Sequence, residues 1–320
     1  EMNTIIFKVL LILFFSFLKI TFLFLPKKID QNKYSNLRVF IINKLCKIQN
    51  LILKKINYPL NLFRTKEQHL YAEVGGVLLD TSYTYRYFKI TENFKFKNQG
   101  EGYEFFFKKT KKNNFFDLGS HIGEISLYFA KKYSNTKIVS VEGSPSCFKI
   151  QKRNIFINKV ENIYPLNFIL SNNNSEEFTS DNFGTENYTI SKPKDGFVKV
   201  KVITLSKLLE DTNTEFIDFL KIDIEGSIPK LSKDLVNLWK NNKIHFCCLS
   251  IEKNSYESYE NIINIFSENS NIYEIDPNND LNKKIDQNYL KQTLRNELGD
   301  DYQSNRFGGT EVVFENKKFS

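Results

Sequence analysis

Residues 115–123 read Phe-Phe-Asp-Leu-Gly-Ser-His-Ile-Gly, and this stretch decides the fold. It begins as an apolar run of strand type, sets an acid near the end of that run, and adds two glycines before a segment of helical period at 123–133. Glycines permit a tight turn and let the backbone come close to a ligand. The spacing is D-x-G-x-x-x-G, not the G-x-G-x-x-G of pyrophosphate binders. An acid at the strand end repels a diphosphate and suits a cationic ligand that carries an amino group and a sulfonium. Taken alone, the same residues also describe an ordinary strand-to-helix turn.

Three further acids narrow that choice. Ile138-Val139-Ser140-Val141-Glu142 ends the next apolar run with a carboxylate. Its distance from the glycine turn, about 20 residues, is that of a ribose-binding acid. Asp218-Phe219-Leu220-Lys221-Ile222-Asp223-Ile224-Glu225-Gly226 ends a later run with two acids and a glycine. If Asp223 and Glu225 both lie on a strand, side-chain alternation sends them to one face. Either can orient a reacting group or receive a proton. Glu252, after Cys248-Leu249-Ser250-Ile251, is a fourth candidate. A solvated strand end is the plainer account of the last two signals.

Outward from these signals, strands and helices alternate. Apolar runs at 114–118, 137–142, 163–170, 197–204, 216–224 and 246–251 read as strands, with late strands at 272–275 and 310–314. Helical periods fall at 123–133, 145–158, 205–210 and 256–268. This rhythm predicts an α/β, doubly wound and mostly parallel sheet over 114–316, with ligands at the carboxyl ends of the strands. Residues 66–113 read as a small β-region, with strand-like runs at 74–79 and 85–96. Residues 27–65 are basic with a helical apolar period.

Residues 1–26 hold an apolar run, 5–25, long enough to span a bilayer, interrupted by Lys8 and Lys19. A lysine near the helix centre costs about 2.5–3.5 kcal/mol to insert, and one near an end can snorkel. The expectation is a membrane anchor, with a helix lying on the surface or a buried helix as the alternatives. Basic residues from Lys27 to Lys47 follow the run, which keeps the bulk of the chain on the cytoplasmic side by the positive-inside tendency.

The net charge of +8 is a Lys excess spread along the chain together with Asn, Ile and Phe. A nucleic-acid face would gather Arg and Lys on one element, so no nucleic-acid partner is expected. Cys46, Cys147, Cys247 and Cys248 form no C-x-x-C pair, and the three histidines are scattered, so buried thiols are expected and no metal site. A dehydrogenase would need its G-x-G-x-x-G, and a base methyltransferase an Asn/Asp-Pro-Pro-aromatic run where Asp223-Ile224-Glu225-Gly226 stands.

From about 114 to 255 the chain resembles the FkbM family of methyltransferases. The resemblance is carried by DLGSHIG at 117–123, VEGSP at 141–145, RNIFIN at 153–158, ITL at 203–205 and KIDIEG at 221–226. It implies a class I, Rossmann-like methyltransferase fold and O-methyl transfer from S-adenosyl-L-methionine. The acceptor it implies is a hydroxyl on a glycan, a lipid-linked sugar or a natural product. By position it implies Asp117, Gly119 and Gly123 around the methionine moiety and Glu142 at the ribose. Ser120, His121 and Gly143 complete the cofactor-binding candidates, with Asp223, Glu225 and Glu252 the catalytic ones. Departures from the family pattern are His121 in the turn, Ser206 for an acid, Ser227-Ile228-Pro229 after KIDIEG, and Lys253-Asn254 where a His is often seen. They put the general base in doubt more than the cofactor site. They also leave open a catalytically inactive, membrane-tethered binding module.

Overall fold

The computed structural model describes residues 60–64, 70–74, 76–80, 95–172, 177–180, 189–190, 197–224, 227–252, 256–275, 282–295 and 309–320. The expected anchor at 5–25 lies outside them. Among the described residues, no helix is long and apolar enough to cross a membrane. The chain divides into two units, 1–73 and 74–320. Strands β1 (Leu60–Arg64) and β2 (Leu70–Val74) begin in the first unit. The helical period read for 27–65 therefore ends in a strand.

The second unit opens with β3 (Val77–Asp80) and α1 (Lys95–Phe107). Residues 81–94 lie outside the description, and the strand expected over 85–96 gives way at Lys95 to helix. The reason is visible in α1: Tyr103, Phe106 and Phe107 recur at helical spacing and are all fully buried.

The glycine turn belongs to the first half of the main sheet. That half comprises β4 (Asn114–Leu118), α2 (Glu124–Lys132), β5 (Lys137–Val141), α3 (Pro145–Asn158) and β6 (Ile163–Leu166). The chain leaves the sheet edge at Asn167, whose side chain donates to the carbonyls of Glu142 and Gly143 at 2.7 and 3.0 Å. The single strand expected over 163–170 is thus broken, and β7 (Ile169–Leu170) pairs instead with β11 (Val202–Ile203). Between them, β8 (Glu177–Ser180) and β9 (Thr189–Ile190), where no strand was expected, join β10 (Phe197–Val200), inside the run expected at 197–204, in a small antiparallel sheet.

The other half runs α4 (Leu205–Asp211), β12 (Ile217–Ile222), a 3-10 turn (Ile228–Leu231), α5 (Ser232–Lys240), β13 (Ile244–Glu252) and α6 (Tyr256–Glu268). β14 (Ser270–Ile275), β15 (Lys283–Ile285), α7 (Gln287–Leu294) and β16 (Gly309–Asn316) complete it. The main sheet has the order β15-β14-β16-β13-β12-β4-β5-β6. β6, β5, β4, β12 and β13 are parallel, and β16 enters antiparallel between β13 and β14. This is the class I methyltransferase-like arrangement expected, with its late antiparallel strand.

Register divides the sheet into two faces. Phe115, Phe219 and Phe246 align across β4, β12 and β13, as do Asp117, Lys221 and Cys248 one step on. The aromatic row packs under α1 and α2, with Phe115 stacked on Phe129 at 4.1 Å and on Phe219 at 5.3 Å. Such pairs add about 0.5–1.5 kcal/mol beyond their buried area. The opposite face carries Phe116, Leu220, Ile222, Cys247 and Leu249 against α4, α5, α6 and α7, where Trp239 stacks on Phe266 at 4.2 Å. Cys147, Cys247 and Cys248 are buried thiols.

Candidate functional site

The chain leaves β4 toward β5 on one side and returns through β12 on the other. That reversal makes the carboxyl ends of β4 and β12 the switch point of the sheet, the place where sheets of this kind bind ligands in a crevice. The glycine turn lies at this point, packed against the end of β12. Gly119 has φ +80°, and a Cβ there would lie 1.8 Å from the carbonyl oxygen of Asp223. Only a residue without Cβ lets the turn after β4 touch the end of β12. The Asp223 amide completes the contact by donating to the Leu118 carbonyl at 2.9 Å. On the other flank, the Gly119 and Ser120 amides both donate to the Val141 carbonyl, at 2.9 and 3.0 Å. Gly123, at φ +88°, turns the chain into α2.

Glu142 stands at the rim of this turn and is 7% exposed. One carboxylate oxygen accepts from the His121 amide at 2.8 Å and the other from the Ser144 amide at 2.7 Å. The acid thereby ties the glycine turn to the start of α3, where Ser144 caps the helix by accepting from the Cys147 amide. His121, at φ +54°, also sets Nδ1 3.5 Å from Glu124. Gly143 follows Glu142 directly, and its nearest neighbour to a built Cβ is Ile169 at 3.4 Å.

Asp117 is placed differently from the expectation that it lines the ligand. It is fully buried beneath the turn. Lys221 Nζ donates to one oxygen at 3.0 Å and Ser126 to the other at 2.7 Å. Alternation on the strands explains this: Asp117 and Lys221 are register partners on the α2 side of the sheet. The network continues from Ser126 to Ser140 at 2.7 Å, and from Gln151, which donates to both Ser140 and Ser120. A hydrogen-bonded row thus runs from Lys221 to Ser120 under the turn.

Asp223 lies one residue past the end of β12 with its side chain 38% exposed, 3.7 Å from Lys221 Nζ. The strand ends at Ile222, so Asp223 lies beyond the strand on which alternation was expected to place it. Glu225 lies outside the described residues, and of Glu252 only the backbone, at the end of β13, is described. Burial opposes the charge on Lys221, but Asp117, Asp223 and then Glu311 more than offset it, so its ammonium is held well above the ordinary lysine range. Among the described residues no group of three or more His, Cys, Asp or Glu is placed to hold a metal ion.

Residues that sequence reasoning left without a role gather here. Lys221 sat inside the KIDIEG run, where the period of two gives it a strand face but only the pairing of β4 with β12 sets it opposite Asp117. Asn154 and Asn158 sat inside RNIFIN. Asn154 accepts from the Asp80 amide at 2.7 Å and donates to the Ile122 carbonyl at 2.9 Å, joining β3 to the glycine turn. Asn158 accepts from the Leu78 amide at 2.9 Å and donates to the Leu78 carbonyl, while Arg153 pairs with Asp80 at 3.2 Å. Ser206, where the family pattern has an acid, presents its amide to Asp234 of α5 at 3.0 Å.

Residues 117–227 match the family model described as Methyltransferase FkbM domain, so the resemblance read from the motifs is borne out over that span. No curated protein matches the chain. Among solved structures it is similar to TYW2 of M. jannaschii in complex with AdoMet, at 13% identity and TM-score 0.38, covering 82% of this chain and 95% of that one. It is also similar to the METTL16 MTase domain, at 10% identity and TM-score 0.40, over 83% and 77% of the two chains. A human methyltransferase 10 domain containing protein is 11% identical, with TM-score 0.38, over 70% and 82%. At these values the likenesses say nothing about activity or acceptor.

Proposed function

We propose that this chain transfers a methyl group from S-adenosyl-L-methionine to a hydroxyl on a glycan, a lipid-linked sugar or a natural product. The observation that carries the reading is Glu142, pinned by two amides at the rim of the glycine turn. A carboxylate oxygen accepts from more than one donor, so ribose hydroxyls can join the amides there. The lining fits a cationic nucleoside: Glu142 stands at the turn, Asp223 is a partly exposed carboxylate, and the ammonium of Lys221 is already engaged with Asp117. A diphosphate would meet charge of its own sign and be repelled.

When bound, S-adenosyl-L-methionine supplies an electrophilic methyl on a sulfonium. The chain's residues hold and orient. Glu142 takes the ribose, and the backbone of the turn from Gly119 to Gly123 packs against the methionine part. Asp117 acts from below through its charge. At the acceptor side, Asp223 is the partly exposed carboxylate and accepts the hydroxyl proton as oxygen attacks the methyl carbon. Glu225 and Glu252 are the other candidates for that proton. Orientation supplies most of the acceleration, because little charge develops for the protein to stabilise. The apolar run at 5–25, with its basic flank, supports tethering to a membrane with the catalytic unit on the cytoplasmic side.

Calorimetric titration with S-adenosylhomocysteine tests the cofactor reading. Binding should appear in the wild type and fall at least ten-fold in Glu142→Ala, while NADH should not bind. Tritiated methyl transfer into glycan and lipid extracts then seeks the acceptor. Binding without any transfer favours the inactive module, toward which Ser206 and Asn254 point.

A further inference from the structure

The parallel strands of the main sheet all begin at one end of it, and β16, which runs the other way, finishes there beside the start of β13. The chain passes through that end in short connections rich in lysine. The link from α1 to β4 opens Lys-Lys-Thr-Lys-Lys at 108–112, with all four lysines exposed. Lys240 and Lys243 flank the turn into β13, and Lys317 and Lys318 follow β16, again all exposed. Hydrogen bonds hold these connections side by side. The Lys137 amide donates to the Asn113 carbonyl at 2.9 Å, the Ile217 amide to the Lys243 carbonyl at 2.7 Å, and the Asn316 side chain to Asn242 at 3.3 Å. A lysine excess that reads as evenly spread along the chain is thus gathered by the fold. Acids are fewer at this end. Glu161, Glu215 and Glu268 are exposed, Asp211 pairs with Lys207, and Lys108 and Lys132 share Glu104. At the other end of the sheet, the described residues of the turns after β4, β5 and β12 hold Glu142 and Asp223 and no lysine.

The lysine-rich end also carries the exposed rings. Among the described residues, the large hydrophobic side chains left exposed are Phe105, Phe156, Tyr164 and Phe319. Phe105 and Phe156 lie in the last turns of α1 and α3, Tyr164 is the second residue of β6, and Phe319 follows Lys318. Lysines lie over two of the rings: Lys109 Nζ is 4.6 Å from the centre of Phe105, and Lys137 Nζ 5.5 Å from that of Tyr164. Phe319 rests on Phe216 and His245, which holds it at this end.

Ammonium groups set among exposed rings match the interface of an anionic bilayer. The charges meet lipid phosphates and carboxylates, and the rings sit at headgroup level. Nucleic acid fits less well. No arginine stands in these connections, so guanidinium forks are lacking, and the rings come from separate elements and not from one base-stacking platform. We propose that this end of the 74–320 unit docks on a membrane surface rich in anionic phospholipid. Such docking needs no part of the apolar run at 5–25.

Lysine footprinting tests this. The full chain is mixed with vesicles of phosphatidylcholine alone or with added phosphatidylserine, briefly acetylated, and read by mass spectrometry. With phosphatidylserine, acetylation of Lys111, Lys243 and Lys317 should fall several-fold, while Lys233 and Lys283, which begin α5 and β15, should not change. Salt at about 1 M, where the screening length is about 3 Å, should restore the labelling. Phe156→Ser, at a ring 82% exposed, should keep the melting temperature and weaken the protection. Equal labelling on the two kinds of vesicle overturns the proposal, as does protection by single-stranded RNA without protection by the vesicles. Flotation with phosphatidylcholine alone reports on the tether at 5–25, so that reading can fail while the phosphatidylserine protection stands, and the reverse.

Discussion

Three glycines separate strain from collision. At Gly119 both act: φ is +80°, and a Cβ would meet the Asp223 carbonyl oxygen at 1.8 Å, its carbon at 2.7 Å and Ile224 at 3.1 Å. Placing alanine in the left-handed region costs about 1–2 kcal/mol. Relieving the overlap moves a strand end packed on both faces, at about 1–3 kcal/mol. Gly119→Ala should therefore lose about 2–5 kcal/mol. At 2–4 °C per kcal/mol for a domain of this size, that is a fall in melting temperature of roughly 5–15 °C. At Gly76 φ is +79° but nothing lies within 4 Å, so Gly76→Ala carries the strain alone, about 1–2 kcal/mol. At Gly143 the nearest atom is at 3.4 Å and φ is not positive, so Gly143→Ala should stay within about 0.5 kcal/mol of wild type. Scanning fluorimetry orders the three, and titration with S-adenosylhomocysteine adds a readout at the crevice, where Gly119→Ala should weaken binding and Gly143→Ala should not abolish it. Equal melting of the Gly119 and Gly76 variants would refute the contact between the turn and β12.

Two other sites yield stability predictions. Glu104, 3% exposed, accepts from Tyr128 and Tyr133 and pairs with Lys108 and Lys132. Burial opposes its ionisation, but Lys108, Lys132 and the two tyrosines prevail and bring its carboxyl to about 2. A depressed carboxylate contributes stability above its unfolded value, here about 3 kcal/mol, and loses it as pH falls from about 4.5 toward 2. Glu104→Gln should melt lower at neutral pH and show a shallower decline over that acid range; parallel curves for the two proteins would contradict this. Asn154→Ala leaves the Asp80 amide and the Ile122 carbonyl without their partner, at about 1–3 kcal/mol each if both stay dry. Asn154→Asp keeps the acceptor for Asp80 and should recover part of that loss by denaturant titration; no recovery would mean the Asp80 bond contributes little.

The sequence carried the order of strands and helices, the glycine turn and the acid at the end of β5, because each depends on local rules: apolar period, glycine where φ is positive, a carboxylate at a strand end. Helices 145–158 and 256–268 were legible for the same reason. The misreadings are of another kind. The helix of 95–107 has two glycines and poor propensity, and packing of Tyr103, Phe106 and Phe107 against the sheet makes it. The break at Asn167 depends on carbonyls of Glu142 and Gly143, more than twenty residues away in the chain. Asp117 looked like a ligand contact because the motif shows an acid beside a turn. Its neighbours decide otherwise, since Lys221 comes from a strand about a hundred residues later and the two meet only when β4 and β12 pair.

What the sequence determined by itself was a class of sheet and one wall of its crevice. What tertiary structure alone decided was which carboxylates face outward and which are neutralised inside. A strand's alternation is readable in one dimension, whereas the charge at a buried point depends on every strand that meets there.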